Sequence, residues 1–444
     1  MDAAPADDTP ALDLTAVAAR YADAVANLRA LCQPLPTLGF DRPVLLSIHD
    51  AYFGRLLWLE CSALESLLWA DEDPEVAVAT HDLFFHFQRA DGLIPGVVTD
   101  TPLPETNHSS VVYGQLQQLV PLARTTWQLA QKTRDEQFLE RGYASGTRFD
   151  DWMVAHRQTR GTGAMEMFCE YDMGLDYSPR VHGNGVPRFC PGGDAAVPTH
   201  VNGWPLVAPD LSAVVYGNRR ALAAMADALG RPREARRWAD LADDLRTAVL
   251  ENCYCAEDEF FYDRDTSGQL RRIKEMQLMP VVSEGMLTQR HFERIRSRYL
   301  DNPAHYGLRL PWPSIALSDP HFAPRGNAWT GATYLNWTLR AVQWMPHYLG
   351  EERLREYMRL WVHEMTGWDH WASYVHPETG RPFLEGDDFA DPDFVAHDQF
   401  AGLNVSYLVY KHFVDELGLL RGAPAGGEPA DALSRAARSG TVAS

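Results

Sequence analysis

Residues 166–180 read Glu-Met-Phe-Cys-Glu-Tyr-Asp-Met-Gly-Leu-Asp-Tyr-Ser-Pro-Arg and stand between two long halves of helical pattern. The stretch gathers several acids, of which Asp176 is central, and ends in a cation, Arg180. Pro179 fixes its own φ and moves Ser178 out of the helical region, so the chain around Asp176 is held extended or turned. A long loop of this chemical density is typical of an active site. The alternative is an Asp that only caps a turn.

The two halves around this loop carry hydrophobic periodicity typical of helices in hairpins. Twelve such helices can close as an inner ring of six inside an outer ring of six, with the all-round apolar helices inside. An open solenoid is the alternative, but no fixed repeat period supports it. The predicted helices, with one β-hairpin at 253–272, are 12–31, 52–69, 74–89, 108–131, 134–157, 209–229, 231–251, 273–283, 288–299, 327–348, 350–366 and 398–418.

Domain limits follow from composition. Residues 1–11 are expected to be disordered, 12–421 to form a single catalytic domain, and the Ala/Gly/Ser/Arg-rich segment 422–444 to be a disordered tail. A domain of this size is compatible with one large barrel.

Charge and motifs exclude several function classes. The formal charge of −20, from 40 basic and 60 acidic side chains, disfavours a nucleic-acid partner. No apolar run long enough for a membrane span and no signal peptide occur, which predicts a cytoplasmic protein without a membrane partner. The six cysteines are expected to be reduced, and no motif indicates a cofactor or a metal site. The expected partner is a small-molecule substrate, and a homo-oligomer is allowed.

Residues 174–180, Gly-Leu-Asp-Tyr-Ser-Pro-Arg, resemble the Gly-x-Asp-Asn-Ser-Pro-Arg motif of a family of inverting glycosidases. That family includes trehalase, the processing α-glucosidases and the mannosylglycerate and glucosylglycerate hydrolases. Further segments resemble the same family, in matching order, across roughly residues 50 to 418. They are 210–213, 220–222, 325–329, 335–337, 376–380 and 400–403.

The resemblance implies an all-α protein, an (α/α)6 barrel or toroid with the short β-hairpin and with long loops at the pocket end. It also implies that Asp176 is the general acid of an inverting, metal-independent glycoside hydrolase acting on a small α-glycoside. A carboxyl at the base of a dry aromatic pocket has its pKa raised by desolvation, so it can hold a proton near neutral pH. Sugar and aglycone are not fixed by the sequence, although an anionic aglycone fits.

The chain departs from the family where an inverting enzyme needs a second carboxylate, the base. The family has a Glu four residues before the Pro of Pro-Glu-Thr-Gly, and this chain has Ser373 there. One interpretation moves the base to the acidic loop 383–388, with Glu385 as the candidate, although a charged loop is often only solvated surface. The other is a lyase, dehydratase or isomerase that reuses the pocket. A binding protein without turnover is the least favoured hypothesis.

Substrate-binding candidates follow from the loops expected at the pocket mouth. Flat rings there can stack on a sugar, and arginines can bind a carboxylate bidentately, with core packing and structural ion pairs as the respective alternatives. Glu60 and Glu65 stand out because their helix is otherwise apolar almost all round. The full set of binding candidates is Trp58, Glu60, Asn107, His108, Asp172, Arg180, Arg325, Trp329, Trp371 and Tyr374.

Overall fold

A computed structural model describes most of the chain. The described residues are 13–50, 53–103, 106, 108–117, 121–383, 387, 389–390 and 400–417, with the backbone alone at 400–403 and 413–417. The predicted disordered ends, 1–11 and 422–444, lie outside these ranges.

Helices dominate the structure: 49% of the residues that it describes are helical. Among the described residues no helix has the length and apolar character needed to cross a membrane. The α-helices are α1 Leu14–Ala30, α2 Leu59–Trp69, α3 Pro74–His86, α4 Leu122–Thr133, α5 Glu136–His156, α6 Pro209–Ala228, α7 Pro232–Asn252, α8 Leu278–Ser283, α9 Gln289–Ile295, α10 Asn336–Tyr348, α11 Glu351–Thr366 and α12 Phe400–Leu417.

Local chemistry sets several helix starts. The carboxylate of Asp13 accepts hydrogen bonds from the backbone N–H groups of Thr15 and Ala16, which satisfies two free donors at the start of α1. Asp135 caps α5 in the same way. Pro232 stands in the first turn of α7, where its missing N–H costs nothing.

The helices contact one another in a regular order. Helix α2 contacts α4, α4 contacts α6, α6 contacts α8, α8 contacts α10, α10 contacts α12, and α12 contacts α2. Their sequence neighbours pack against them: α3, α5, α7 and α11 contact α2, α4, α6 and α10 respectively. Burial agrees with this order: α2 is buried on nearly every side, whereas α7 is buried on one face only.

Short antiparallel strands are more numerous than the single predicted hairpin. Strand pairs 254–255 with 260–261 and 263–264 with 270–271 replace that hairpin by two. The strands are β1 Cys32–Leu35, β2 Phe40–Leu45, β3 Ile48–Asp50, β4 Gly54–Trp58, β5 Val97–Thr99, β6 Val111–Val112, β7 Glu166–Met167, β8 Leu206–Val207, β9 Tyr254–Cys255, β10 Phe260–Phe261, β11 Asp263–Arg264, β12 Leu270–Arg271, β13 Thr333–Tyr334, β14 Tyr374–Val375 and β15 Pro382–Phe383. They form sheets in the orders β3-β4-β5-β6, β12-β11-β8-β7 and β13-β14-β15, with β1 paired to β2 and β9 to β10.

Three predicted helices begin later than expected because strands occupy their first residues. The segment predicted as helix from 52 is strand β4 up to Trp58, paired with β3 and β5. The helix predicted from 108 starts after Pro121, so Pro121 precedes α4 and does not kink it. The helix predicted from 327 is interrupted at Gly331, whose φ of 141° is outside the helical region, and starts at 336.

These strands position the site. Strands β4, β8 and β13 end one or two residues before α2, α6 and α10 begin, and all three helices belong to the contact series described above. The loop that carries Asp176 lies between β7 and β8, which pair with each other. The loop residues therefore meet the first turns of the buried helices at one end of the helix assembly.

Candidate functional site

Asp176 lies on a tight turn inside the central loop. The N–H of Ser178 donates to the carbonyl of Leu175 at 3.0 Å, and Gly174 has a φ of 64°, which glycine adopts without strain. Asp176 is partly exposed as a residue. Its Oδ1 atom is inaccessible to solvent and has no hydrogen-bond partner among the described residues.

The environment of Asp176 favours its neutral form. Burial is the main cause that raises its pKa to about 8, the negative charge of Glu170 adds to the effect, and the cation of Arg188 opposes it. Asp176 is partly exposed as a residue, but its Oδ1 atom is inaccessible to solvent, so burial still disfavours the charged form. The surroundings therefore favour a protonated Asp176 near neutral pH.

Glu60 is a second buried carboxyl group close to the central loop. It stands in the first turn of α2, is 6% exposed, and its Oε2 lies so close to Gly174 that a Cβ on that glycine would be 1.8 Å away. Burial raises its pKa well above the ordinary value, followed by the charge of Asp176, while Arg340 lowers it. The surroundings of Glu60 therefore also favour its neutral form.

Three buried aromatic rings pack together near these carboxyl groups. The ring centroids of Tyr334 and Tyr374 are stacked 4.9 Å apart, and Trp329 packs edge-on against Tyr334 at 4.7 Å. Burial, followed by the charges of Glu60 and Asp176, raises the pKa of the Tyr374 hydroxyl. The group contains two predicted residues, Trp329 and Tyr374, and one that the sequence did not single out, Tyr334.

Residues of the central loop make further contacts near Asp176. His182 Nδ1 lies 2.9 Å from Glu170 Oε1, and the His182 ring packs at 5.0 Å against the ring of Tyr177. Arg188 lies over the Tyr177 ring, 5.7 Å from its centroid, and is partly exposed. The loop therefore surrounds Asp176 with an anion, a cation and an aromatic ring.

Arg180 is engaged in buried ion pairs beneath the loop. Its guanidinium group donates to both oxygens of Asp210 and to both oxygens of Asp263, at 2.5 to 2.9 Å, and is only 1% exposed. These four bonds leave little donor capacity for a ligand. The structural alternative weighed for Arg180 therefore fits the geometry, and the predicted binding of a substrate carboxylate by this residue does not.

Asp172 is likewise part of the support of the loop. It accepts two hydrogen bonds from Arg157, at 2.5 and 3.2 Å, and three more from the backbone N–H groups of residues 116, 168 and 169. Both side chains are fully buried. A substrate-binding role for Asp172 conflicts with these contacts. Two cysteines, Cys169 and Cys190, lie close enough to Asp172 to suggest a metal site, but its oxygens are already engaged by five donors.

The remaining predicted residues make contacts elsewhere, are exposed, or lie outside the described residues. Trp371 donates from Nε1 to Asp23 at 3.1 Å and lies under Arg20, so it packs against α1. His108 and Arg325 are exposed, and Trp58 packs against Phe53. Two other candidates, Asn107 and Glu385, lie outside the described residues.

Four residues of the site and its support were not singled out as such by sequence reasoning: Glu170, Arg188, Tyr334 and Arg157. Glu170 was noted only as one acid of the loop. Arg188 and Arg157 carried no motif signal, because an arginine gains its meaning from partners that are distant in sequence. Tyr334 lay in a segment predicted to be helical, which hid its place in strand β13.

A family model for the mannosylglycerate hydrolase MGH1-like glycoside hydrolase domain matches residues 55–390. The match covers more than two thirds of the chain and includes Glu60, Asp176, Tyr334 and Tyr374. The chain belongs to this glycoside hydrolase family. The family resemblance inferred from residues 174–180 is thereby confirmed, and the MGH1-like domain is a glycoside hydrolase domain.

Solved structures share the fold at low sequence identity. The GH63 mannosylglycerate hydrolase from Thermus thermophilus in complex with glucose is 18% identical, with 88% of this chain and 99% of that chain covered and a TM-score of 0.66. Neutral trehalase from Saccharomyces cerevisiae is 11% identical, with 86% and 74% covered and a TM-score of 0.53. A GH78 rhamnosidase of Bacillus sp. GL1 is 12% identical, with 89% and 34% covered and a TM-score of 0.58.

A curated relative covers only part of the chain. An uncharacterized protein of Borreliella burgdorferi is 25% identical over 126 residues, which are 28% of this chain and 26% of the relative. The chain therefore matches about a quarter of that relative's length, and this likeness adds nothing to the functional argument.

Proposed function

We propose that the MGH1-like domain hydrolyses a small α-glycoside with inversion at the anomeric carbon, and that Asp176 is the general acid. The proposed scaffold is an (α/α)6 barrel. Its support is the contact series of α2, α4, α6, α8, α10 and α12, which returns from α12 to α2. At one end of such a barrel, the first turns of the inner helices and the connecting loops come together around the site.

The observation that carries the proposal is the state of Asp176. The departing oxygen of a glycoside is a poor leaving group unless it receives a proton, so the acid must be neutral at the working pH. Burial and the charge of Glu170 raise the pKa of Asp176 to about 8.

The lyase or isomerase alternative is not favoured. The MGH1-like match fits hydrolysis directly. In addition, His182 is bound to Glu170 and the thiol of Cys169 is fully buried with a raised pKa, so neither is well placed as a second acid or base.

The cation of Arg188 beside Asp176 favours a glycoside with an anionic aglycone as the substrate. With Arg180 engaged by Asp210 and Asp263, Arg188 is the cation that remains beside Asp176. The structure records no ion pair for Arg188 within its described part, and its guanidinium lies over the rings of Tyr171 and Tyr177. An arginine held in this way can bind a carboxylate through two parallel hydrogen bonds.

Replacing Arg188 by Gln is expected to weaken binding of anionic substrates selectively. A charge-assisted hydrogen bond contributes about 1.5 to 3 kcal/mol, so KM for a glucosylglycerate-type substrate should rise by about 10- to 100-fold. KM for a neutral aryl α-glucoside should change by less than about threefold, since that substrate lacks the carboxylate. Steady-state kinetics on both substrates measures the effect.

The matched control is Arg233→Gln, which removes an exposed arginine of α7 far from the loop. It should leave both KM values unchanged. Equal increases in KM for the charged and the neutral substrate in the Arg188 variant would contradict the assignment of Arg188 as the carboxylate-binding residue.

Activity is expected to fall as the pH rises through about 8. Asp176 can donate a proton only in its neutral form, which predominates below its raised pKa and disappears above it. The alkaline limb of kcat/KM against pH should therefore have an apparent pKa of about 8 in the wild type. A profile that already falls between pH 4 and 5, the range of an ordinary carboxyl group, would contradict a neutral acid at this position.

Hydrolysis itself is tested with glucosylglycerate, mannosylglycerate, trehalose and an aryl α-glucoside. We expect at least one of them to release free sugar, which anion-exchange chromatography detects. The absence of release from all four, with a folded protein, would contradict the proposed function.

A further inference from the structure

A cavity of about 430 Å³ lies beside α9, α10 and α11, away from Asp176. Trp344 and Met345, near the C-terminal end of α10, line it, whereas the candidate site lies at the N-terminal end of that helix. The eight residues from Asn336 to Trp344 rise by about 12 Å along the helix axis. The volume is within the range of about 300 to 1,000 Å³ that is usual for small-molecule sites. The cavity is therefore a second candidate site.

The backbone around this cavity adopts uncommon conformations. Trp312, which lines the cavity, has a φ of 65°, in the left-handed region that bulky residues rarely adopt. Residues 296–300 form a π-helical turn, and its first residue, Arg296, also lines the cavity. A Cβ on Gly307 would lie 2.6 Å from the backbone of Asp301, so glycine allows the loop to fold back onto this turn. Strained residues and π turns are frequent at functional sites.

The floor of the cavity is aromatic. The ring centroids of Trp312 and Trp344 are 5.1 Å apart, and those of Trp312 and Tyr357 are 4.9 Å apart. The N–H of Trp312 donates to the carbonyl of Tyr306 at 3.0 Å, which holds the central ring in this group. Aliphatic side chains such as Leu360 complete the lining. An occupant therefore needs an apolar surface as well as polar groups.

The rim of the cavity consists of arginines from three segments, each paired with a carboxylate. The pairs are Arg296 with Asp301 at 2.7 Å, Arg309 with Glu364, and Arg353 with Glu356 at 2.7 Å. Each guanidinium charge is thus balanced within the protein. Because a guanidinium has five N–H donors and a carboxylate several lone pairs, the pairs still offer both donors and acceptors.

The neutrality of the rim decides the class of ligand. A free anion would have to compete with the carboxylates that already hold the arginines. A hydroxyl group both donates and accepts, so it can bind to an arginine–carboxylate pair without breaking it. A molecule that carries several hydroxyl groups on a ring with C–H surface satisfies the rim and the floor together.

We propose that this cavity binds a neutral sugar unit, with its hydroxyl groups on the arginine–carboxylate pairs and its C–H surface on the aromatic floor. The site is additional to the one that contains Asp176. The inference does not depend on the proposed hydrolysis, because none of the contacts that carry it involves Asp176.

Fluorine NMR of the protein labelled with 5-fluorotryptophan tests the proposal. Trp312→Phe and Trp344→Phe assign the two resonances of the floor by removing each in turn. The probes are glucose, mannose and trehalose, with inorganic phosphate as the anionic comparison. We expect at least one sugar to shift both resonances saturably, with a dissociation constant in about the millimolar range, and phosphate to shift neither.

Arg353→Ala and Arg355→Ala form a matched pair of variants. Both arginines belong to α11, and each pairs with a glutamate one turn away, but only Arg353 lines the cavity. Loss of Arg353 should raise the dissociation constant of the sugar by about tenfold, because hydrogen bonds from a charged donor are lost. Arg355→Ala should leave it unchanged. Thermal melting checks that both variants are folded.

Four results would overturn the proposal. They are unchanged Trp312 and Trp344 resonances with all three sugars, a response to sugar confined to Trp329 near the candidate site, a response to phosphate alone, and equal effects of Arg353→Ala and Arg355→Ala. The proposed hydrolysis is judged separately by sugar release. An active enzyme without a response at Trp312 would leave the glycosidase function standing, and a response at Trp312 in an inactive protein would support the cavity site alone.

Discussion

Asp176→Asn is expected to lower kcat by about 10²- to 10⁴-fold on a glycoside with a poor leaving group. Asparagine keeps the size and shape of the side chain but has no proton that it can transfer. Because the proton matters for the departure of the aglycone, an activated aryl glycoside, whose leaving oxygen needs little protonation, should lose much less activity. The ratio of the two losses, measured by steady-state kinetics, reports on acid catalysis specifically.

The matched control is Asp151→Asn, which makes the same chemical change at an exposed position of α5. It should leave kcat unchanged on both substrates. Equal losses on good and poor leaving groups in Asp176→Asn would show that position 176 supports binding or folding and does not donate the proton.

Arg157→Leu is expected to cost about 3 to 5 kcal/mol in the free energy of unfolding. Arg157 and Asp172 are both fully buried, and Arg157 donates to both carboxylate oxygens. Removal of the guanidinium leaves a buried carboxylate without its counter-ion directly beneath the loop that carries Asp176. Urea titration followed by tryptophan fluorescence measures the loss.

Two comparisons make this prediction specific. Arg231→Leu breaks an exposed pair with Glu140 and should cost no more than about 1 kcal/mol. The double variant Arg157→Leu/Asp172→Asn should be more stable than Arg157→Leu alone, because it removes the uncompensated charge. A loss in Arg157→Leu no greater than that in Arg231→Leu would contradict the supporting role of the buried pair.

The helices were predictable where periodicity and capping residues act locally. The helix predicted at 350–366 spans 351–366, and the hairpin broken near Pro232 appears as α6 and α7. The starts of α2, α4 and α10 were not predictable, because their preceding residues pair with strands that are distant in sequence. Pairing of β4 with β5, across about forty residues, outweighs the local apolar pattern that favoured helix at Trp58.

Sequence reasoning reached the centre of the candidate site and little of its surroundings. Asp176 was singled out because a proline-fixed turn and a motif surround it in sequence. Arg180 belongs to the same motif, yet its contacts are with Asp210 and Asp263, which lie 30 and 83 residues away. The approach of Glu60 to Gly174 could not be read from the sequence either, since it depends on how the first turn of α2 meets the loop.

The stereochemistry of the first product tests the central claim most directly. Proton NMR during hydrolysis of the α-glycoside distinguishes the two anomers before mutarotation mixes them. The account predicts that the β anomer of the sugar appears first, because water attacks opposite to the oxygen that Asp176 protonates. Initial appearance of the α anomer would contradict it, since retention requires a covalent glycosyl-enzyme intermediate, which direct attack by water does not form.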